Sequence, residues 1–146
     1  MKVKDIMTSS PVCCTPDMHF GEIAKMMVEN DCGAIPVVNN ETQMNPIGII
    51  TDRDIVVRVL AKDENPLKMK VKDYMSHPCA VVMPETSIAE CCTLMEDKQI
   101  RRVLVSDKRG RCCGIVSQAD IADHNLKEEL VEVVEMVSQP HKHAVK

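Results

Sequence analysis

The sequence predicts a mixed α/β fold made of two similar units that close on each other, followed by one further helix. Three observations carry this reading. The phrase Val3-Lys4-Asp5-Ile6-Met7 returns as Val71-Lys72-Asp73-Tyr74-Met75, each followed by two prolines (Pro11 and Pro16, then Pro78 and Pro84). Each copy next runs through a helical pattern into a short β run, Ala34-Ile35-Pro36-Val37-Val38 and then Arg102-Val103-Leu104-Val105. Each copy closes on glycine, two β-branched residues, a hydroxyl and, three residues later, an acid: Gly48-Ile49-Ile50-Thr51 with Asp54, and Gly114-Ile115-Val116-Ser117 with Asp120. This order marks a tandem duplication. Half of a 146-residue chain is marginal as an independent domain, and two copies are too few for an open solenoid. Similar units of this kind pack face to face and form paired clefts where they meet.

The elements follow in order. Lys2 to Met7 is a short helical lead-in, and Val12 to Thr15 is apolar and β-prone up to Pro16. Phe20, Ile23, Ala24 and Met27 have helical spacing over residues 18–29, with Gly33 as the stop signal. Residues 35–38 read as a strand near an edge or a strand start, because of Pro36. Residues 39–46 are turn-rich, 47–50 form a second strand, and 52–61 a helix with Ile55, Val56, Val59 and Leu60 as its stripe. The second copy gives a strand at 81–83, then a helix over 87–98 with Ile88, Cys91, Cys92 and Met95 facing inward. Strands at 103–105 and 112–116 flank Gly110 as a hairpin, and Asp120 opens the last helix of the copy. Copy boundaries fall at 1–66 and 67–124, with a helix and tail over 125–146. In the tail, Leu126, Leu130, Val133, Val134 and Val137 share a helical face, with Glu128, Glu129, Glu132 and Glu135 outside it. That stripe covers either the domain itself or a second subunit, and the residues after Pro140 are expected to be mobile.

Composition narrows the function. A net charge of −4 argues against gripping nucleic acid through bulk positive charge. No apolar run reaches the roughly 18 residues of a membrane span, and the first residues lack a signal peptide's apolar stretch. The expected location is the cytoplasm, with no membrane partner. With one Phe, one Tyr and no Trp, the core is aliphatic, and a flat ligand would lie between aliphatic side chains. Of the eight cysteines, six form adjacent pairs (Cys13-Cys14, Cys91-Cys92, Cys112-Cys113), and no C-x-x-C spacing occurs. Neighbours on a strand point to opposite faces, so cysteine reads as a small buried apolar residue in a reducing compartment. The alternative is a redox or metal sensor that also uses His124, His141 and His143.

Thr51-x-x-Asp54 and Ser117-x-x-Asp120 each follow a strand and open a helix. One reading is a capping box that needs no ligand. The other is a binding site: helix-start N–H groups and dipole suit a phosphate, the hydroxyl can donate to it, and the carboxylate can accept from a ribose diol. Recurrence of the phrase with the same spacing favours the second. No Ser-His-Asp order or H-E-x-x-H phrase is present, so catalysis is not expected.

In this order, twice, these motifs make residues 1–124 resemble a tandem pair of CBS (cystathionine β-synthase) domains, a Bateman module. The resemblance implies a β-α-β-β-α unit in each copy, pseudo-twofold packing, ligand clefts at the junction, and often a disc-shaped dimer. It implies that Thr51 and Asp54 face Ile100, Arg101, Arg102 and Val103, while Ser117 and Asp120 face Cys32, Gly33, Ala34 and Ile35. Thr15 and Met83 would sit near the base. Arg53, Arg101 and Arg102 make the Thr51 site the better one for a di- or triphosphate, because guanidinium forks match phosphate oxygens.

The expected function is a stand-alone regulatory module. It needs no obligatory cofactor or metal, binds AMP, ADP, ATP or S-adenosylmethionine, and acts as a homodimer on a regulated protein. Alternatives are the cysteine/histidine sensor and a ligand-free dimerisation scaffold.

Overall fold

The computed structural model describes residues 1–63, 65–124 and 126–140, and the chain divides into two compact units. Unit 1 holds residues 1–9, 80–107 and 113–146, and unit 2 holds 10–79 and 108–112. Each unit therefore combines the lead-in of one copy with the body of the other.

In unit 1 the lead-in is α1 (Val3–Ile6) and β1 (Thr8–Ser9). The body comprises β4 (Val81–Val82), α4 (Ile88–Lys98), β5 (Arg102–Ser106), β6 (Cys112–Ser117, whose first residue is assigned to unit 2), α5 (Gln118–Asp123) and α6 (Lys127–Val137). The sheet order is β1-β6-β5-β4. β1 runs antiparallel to β6, with Thr8 opposite Ile115, and β4 runs parallel to β5. Short polar β1 is placed by the lead-in before it: the amides of Val3 and Lys4 donate to the carbonyls of Thr86 and Pro84 at 2.8 and 3.0 Å, and Lys2 and Lys4 pair with Glu85. Val3 and Ile6 enter a core with Met95, Val103, Val116 and Ile121.

Unit 2 repeats this construction. Its body comprises α2 (Phe20–Asn30), β2 (Ala34–Val38), β3 (Pro46–Thr51) and the helical run from α3 (Asp52–Asp54) to Lys62. β2 and β3 pair antiparallel, with Ala34 opposite Thr51. The lead-in is Val71–Asp73, a single 3₁₀ turn. The amides of Val71 and Lys72 donate to Met18 and Pro16 at 2.9 and 3.0 Å, and Lys70 and Lys72 pair with Asp17. The chain's only two aromatic side chains, Phe20 and Tyr74, meet here as tilted rings 5.9 Å apart. The glycines of the two closing phrases follow from this arrangement. A Cβ on Gly48 would meet Met75 Sδ at 2.8 Å and the Ser76 carbonyl at 2.9 Å, and one on Gly114 would lie 2.5 Å from Met7 Sδ.

The α4 stripe is as expected: Ile88, Cys91, Cys92 and Met95 are all buried. Several expectations need correction. The segment at 12–15 forms only a parallel bridge from Cys14 to Val37. Ala24 is exposed, and Met26 joins the expected Met27 against the core instead. The left-handed residue that stops α2 is Asp31, with φ 48°. Gly33 has another reason to be glycine: a Cβ there would meet Asp52 Oδ2 at 2.8 Å. Residues 55–59 form a π-helical turn, closed by the Leu60 amide on Ile55. Its wider register turns Val56 and Leu60 outward, leaving each more than half exposed, while Val59 is buried. α6 covers its own unit, since Val133 and Val137 enter the unit 1 core with Leu126 and Leu130 against it. Val134 lies one step off that stripe and is exposed. Among the described residues, no helix is long and apolar enough to cross a membrane.

Lys2 and Lys4 hold the Glu85 carboxyl down to about 2, below its ordinary 4.5. A depressed carboxylate stabilises the fold above the unfolded-state value, and that contribution fades as pH falls from about 4.5 toward 2. Glu85→Gln is therefore expected to lower the urea midpoint slightly at pH 7, since the pair is exposed. The difference from the parent should shrink steadily below pH 4.5; a gap that widens on acidification contradicts the ion-pair role.

Candidate functional site

Both hydroxyl-x-x-acid phrases form complete, reciprocal capping boxes. At the end of β3, Thr51 is extended and caps α3. Its amide donates to Asp54 Oδ2 at 2.9 Å, and the Asp54 amide donates to Thr51 Oγ1 at 3.2 Å. The two amides between them are also used: Asp52 donates to the Gly33 carbonyl at 2.9 Å, and Arg53 to Asp52 Oδ1 at 2.8 Å. All four N–H groups that the sequence offers to a phosphate here are thus satisfied by the chain itself. A ligand at this helix start must engage side chains or displace one of these bonds.

At the end of β6, Ser117 caps α5 in the same way. Its amide and its hydroxyl both donate to Asp120 Oδ2, at 2.8 and 3.0 Å, and the Asp120 amide donates back to Ser117 Oγ at 3.4 Å.

The two carboxylates differ in what meets their other oxygen. Asp54 Oδ1 lies 3.6 Å from Arg58 Nε, one helical turn on. The Arg58 guanidinium also donates to the Tyr74 carbonyl at 3.3 Å, so the lead-in helps to aim it. Asp120 Oδ1 instead accepts from the Thr8 hydroxyl at 3.3 Å, which β1 carries to the end of β6. Neither Arg58 nor Thr8 was expected at a site. The Asp-x-x-x-Arg spacing offered a signal for the first; Thr8, 112 residues from Asp120, offered none.

The remaining candidates sort by unit. Unit 2 brings Cys32, Gly33, Ala34 and Ile35 beside Thr51, Arg53 and Asp54 through the β2–β3 pairing. Ile35 is buried, Arg53 is exposed, and Thr15 is half-buried, its carbonyl accepting from the Met18 amide at 3.2 Å. Unit 1 holds Met83, Ile100, Arg101, Arg102 and Val103 together with Ser117 and Asp120. Val103 is core, Ile100 packs against it, Arg102 is half-buried, and Arg101 and Met83 are exposed.

Among the described residues no group of three or more His, Cys, Asp or Glu side chains is arranged to hold a metal ion. His124 Nδ1 lies 2.9 Å from the Asp120 carbonyl, and His141 and His143 fall outside the described residues.

The CBS domain profile matches residues 3–61 and 71–127. Hypoxic response protein 1 of Mycobacterium tuberculosis is 32% identical over 137 residues, 94% of each chain. A crystal structure of Hypoxic Response Protein I with two coordinated zinc ions superposes with TM-score 0.75 at 33% identity, covering 85% of this chain and 98% of that one. An uncharacterised protein of Methanopyrus kandleri is 37% identical over 118 residues, 81% of this chain; the match spans only 57% of that relative's length. The CBS domain pair of protein MJ0100, solved with 5′-methylthioadenosine and S-adenosyl-L-methionine, superposes with TM-score 0.75 at 25% identity, covering 86% of this chain and 99% of that one.

Removing a capping hydroxyl exposes the cap's cost. Thr51→Ala and Ser117→Ala should each destabilise the chain by about 1 kcal/mol in urea unfolding, and Thr51→Ser should restore most of it. An unchanged midpoint for both alanine variants contradicts the capping role.

Proposed function

The chain belongs to the CBS domain family as a tandem pair of such domains, and from that premise we propose that it is a stand-alone regulatory module for adenosyl ligands. The observation that carries the reading is the second appearance of the hydroxyl-x-x-acid helix start with its geometry intact. One such box is a cap; two at matching places, in a chain that resembles a pair solved with adenosyl compounds, make a matched set of polar anchors.

Each carboxylate is suited to accept from a ribose hydroxyl. At Asp54 the ligand competes with Arg58, and at Asp120 with Thr8. With the amides at Thr51 committed, phosphate recognition falls to side chains: Arg53 is the guanidinium proposed for it in unit 2, Arg101 and Arg102 are those proposed in unit 1, and Arg53 and Arg101 are exposed. Arginine is the residue best shaped for that task. The remaining proposed ligand contacts are Thr15, Cys32, Gly33, Ala34, Ile35, Met83, Ile100 and Val103.

The ligand acts by favouring one arrangement of the protein over another. α6 is a natural reporter, since it packs against α5, the helix that carries Asp120. In this reading the module is a cytoplasmic homodimer, performs no catalysis itself, and tunes a partner protein.

Calorimetry with AMP, ATP and S-adenosylmethionine tests the proposal. At least one should bind the parent, and Asp54→Ala should weaken AMP or ATP by about tenfold or more, the loss of a hydrogen bond to a charged group. Arg101→Ala should hurt ATP more than adenosine. Absence of heat with every ligand points to the scaffold alternative; equal affinity for Asp54→Ala rejects the ribose role, and equal losses for ATP and adenosine reject the phosphate role.

A further inference from the structure

We propose that two copies of this chain dimerise through the outer flank of unit 2, α2 against α2, while α6 keeps the counterpart flank of unit 1 closed. The proposal rests on the homodimer put forward above and names its surface.

The flank is built from two helical segments. The run from α3 to Lys62 starts beside the end of α2, where the Asp52 amide donates to the Gly33 carbonyl at 2.9 Å. Shortly past that run, Leu67 lies over the start of α2: a Cβ on Gly21 would meet Leu67 Cδ2 at 2.9 Å. The two segments therefore lie side by side and run in opposite directions. Gly21, Ala24 and Val28 share one side of α2 by helical spacing. Val28 is 82% exposed, and Leu67, Val56, Val57 and Leu60 are exposed with it. One apolar side chain at a surface is ordinary; five on two neighbouring segments mark an interaction surface.

The duplication shows what this flank lacks. α2 and α4 are equally long and end in left-handed residues, Asp31 and Gln99. Ala24 thus matches Cys92, and Val28 matches Glu96. Counted from Thr51 and Ser117, Leu60 matches Leu126 and Val57 matches Asp123. In unit 1, α6 packs against both α4 and α5. Cys92 is 4% exposed beneath it, and Leu126 lies against the core. Gln99 Nε2 holds the far end of α6 by donating to the carbonyls of Met136, Gln139 and Pro140. In unit 2 no described residue plays the part of α6, and Ala24 and Leu60 are exposed. The side chains have changed accordingly. Where the second copy carries Glu96 and Asp123, the first carries Val28 and Val57. Valine in place of an acid gains nothing in water and gains burial across an interface.

The charges of the flank name the partner. Its exposed cations, Lys25, Arg53 and Lys62, are matched by the exposed acids Glu22, Glu29, Asp52 and Asp63. Two such flanks meet without the repulsion that a net charge of −4 creates between whole chains. A two-fold axis close to Val28 runs the two α2 helices antiparallel and sets Lys25 of each copy toward Glu29 of the other. The α6 helix of another copy suits the flank less, because it exposes Glu128, Glu132 and Glu135 against the single cation Lys127. With α6 filling the flank of unit 1, the two-fold contact closes the assembly at two chains.

Sedimentation velocity of the full chain over a range of concentrations is the test. The parent should reach twice the 16.3 kDa mass of one chain. Val28→Arg changes a residue open to solvent in the single chain, so the circular dichroism spectrum should stay as it is. It places two guanidinium groups face to face at the axis and should raise the dimer dissociation constant about tenfold or more. Lys25→Glu should weaken the dimer as well, and adding Glu29→Lys should restore it. Val134→Glu, on the outer side of α6, should leave the dimer unchanged. A dimer that withstands Val28→Arg, or that Val134→Glu breaks instead, overturns the inference and leaves the homodimer standing. A double variant no tighter than Lys25→Glu alone rejects the two-fold pairing of α2. A parent that stays at the mass of one chain rejects the homodimer itself and the inference with it.

Discussion

The amides of Val3 and Lys4 donate to the carbonyls of Thr86 and Pro84, and the amides of Val71 and Lys72 make the same bonds to Met18 and Pro16. Each lead-in is thereby stitched to the body of the other copy. The ion pairs repeat the exchange, with Glu85 taking Lys2 and Lys4 and Asp17 taking Lys70 and Lys72. Neither copy is a folding unit by itself, as its size of about 60 residues already suggests. The second proline after each lead-in acquires a purpose: Pro16 and Pro84 present their carbonyls to the lead-in of the other copy. Val3 and Ile6 complete one core, while Val71 completes the other.

The same exchange shapes the two helix starts. β1 delivers the Thr8 hydroxyl to Asp120, and the second lead-in supplies the Tyr74 carbonyl that steadies Arg58 beside Asp54. One carboxylate thus faces a guanidinium and the other a neutral hydroxyl. The duplicated phrase gives both helix starts the same hydroxyl and acid, and the non-duplicated partners make their surroundings differ. The Arg58 contact pairs two charges, whereas the Thr8 hydroxyl offers Asp120 a neutral donor whose bond is weaker.

Periodicity was a good guide wherever a side chain's neighbours lie within one element. The α4 stripe and the caps at Thr51 and Ser117 were legible for that reason. Features set by distant segments were not. Gly33, Gly48 and Gly114 are required by Asp52, Met75 and Met7, and no local pattern announces those approaches. The π turn over Ile55–Val59 shifts Val56 and Leu60 off a stripe that α-helical spacing assigns to them. The tail posed a different problem: its apolar face was evident, but only the unit 1 core shows what that face covers. At the site, the acids and hydroxyls could be read from spacing, whereas the commitment of the Asp52 and Arg53 amides depends on Gly33 and on the Asp52 side chain.

The exchange of lead-ins can be read directly by zero-length carbodiimide cross-linking of lysine to carboxylate, followed by peptide mapping. Exchange predicts links from Lys2 or Lys4 to Glu85 and from Lys70 or Lys72 to Asp17. Links that instead join Lys4 to Asp17 and Lys72 to Glu85 would show each copy folding on its own lead-in, and would contradict the account at its root.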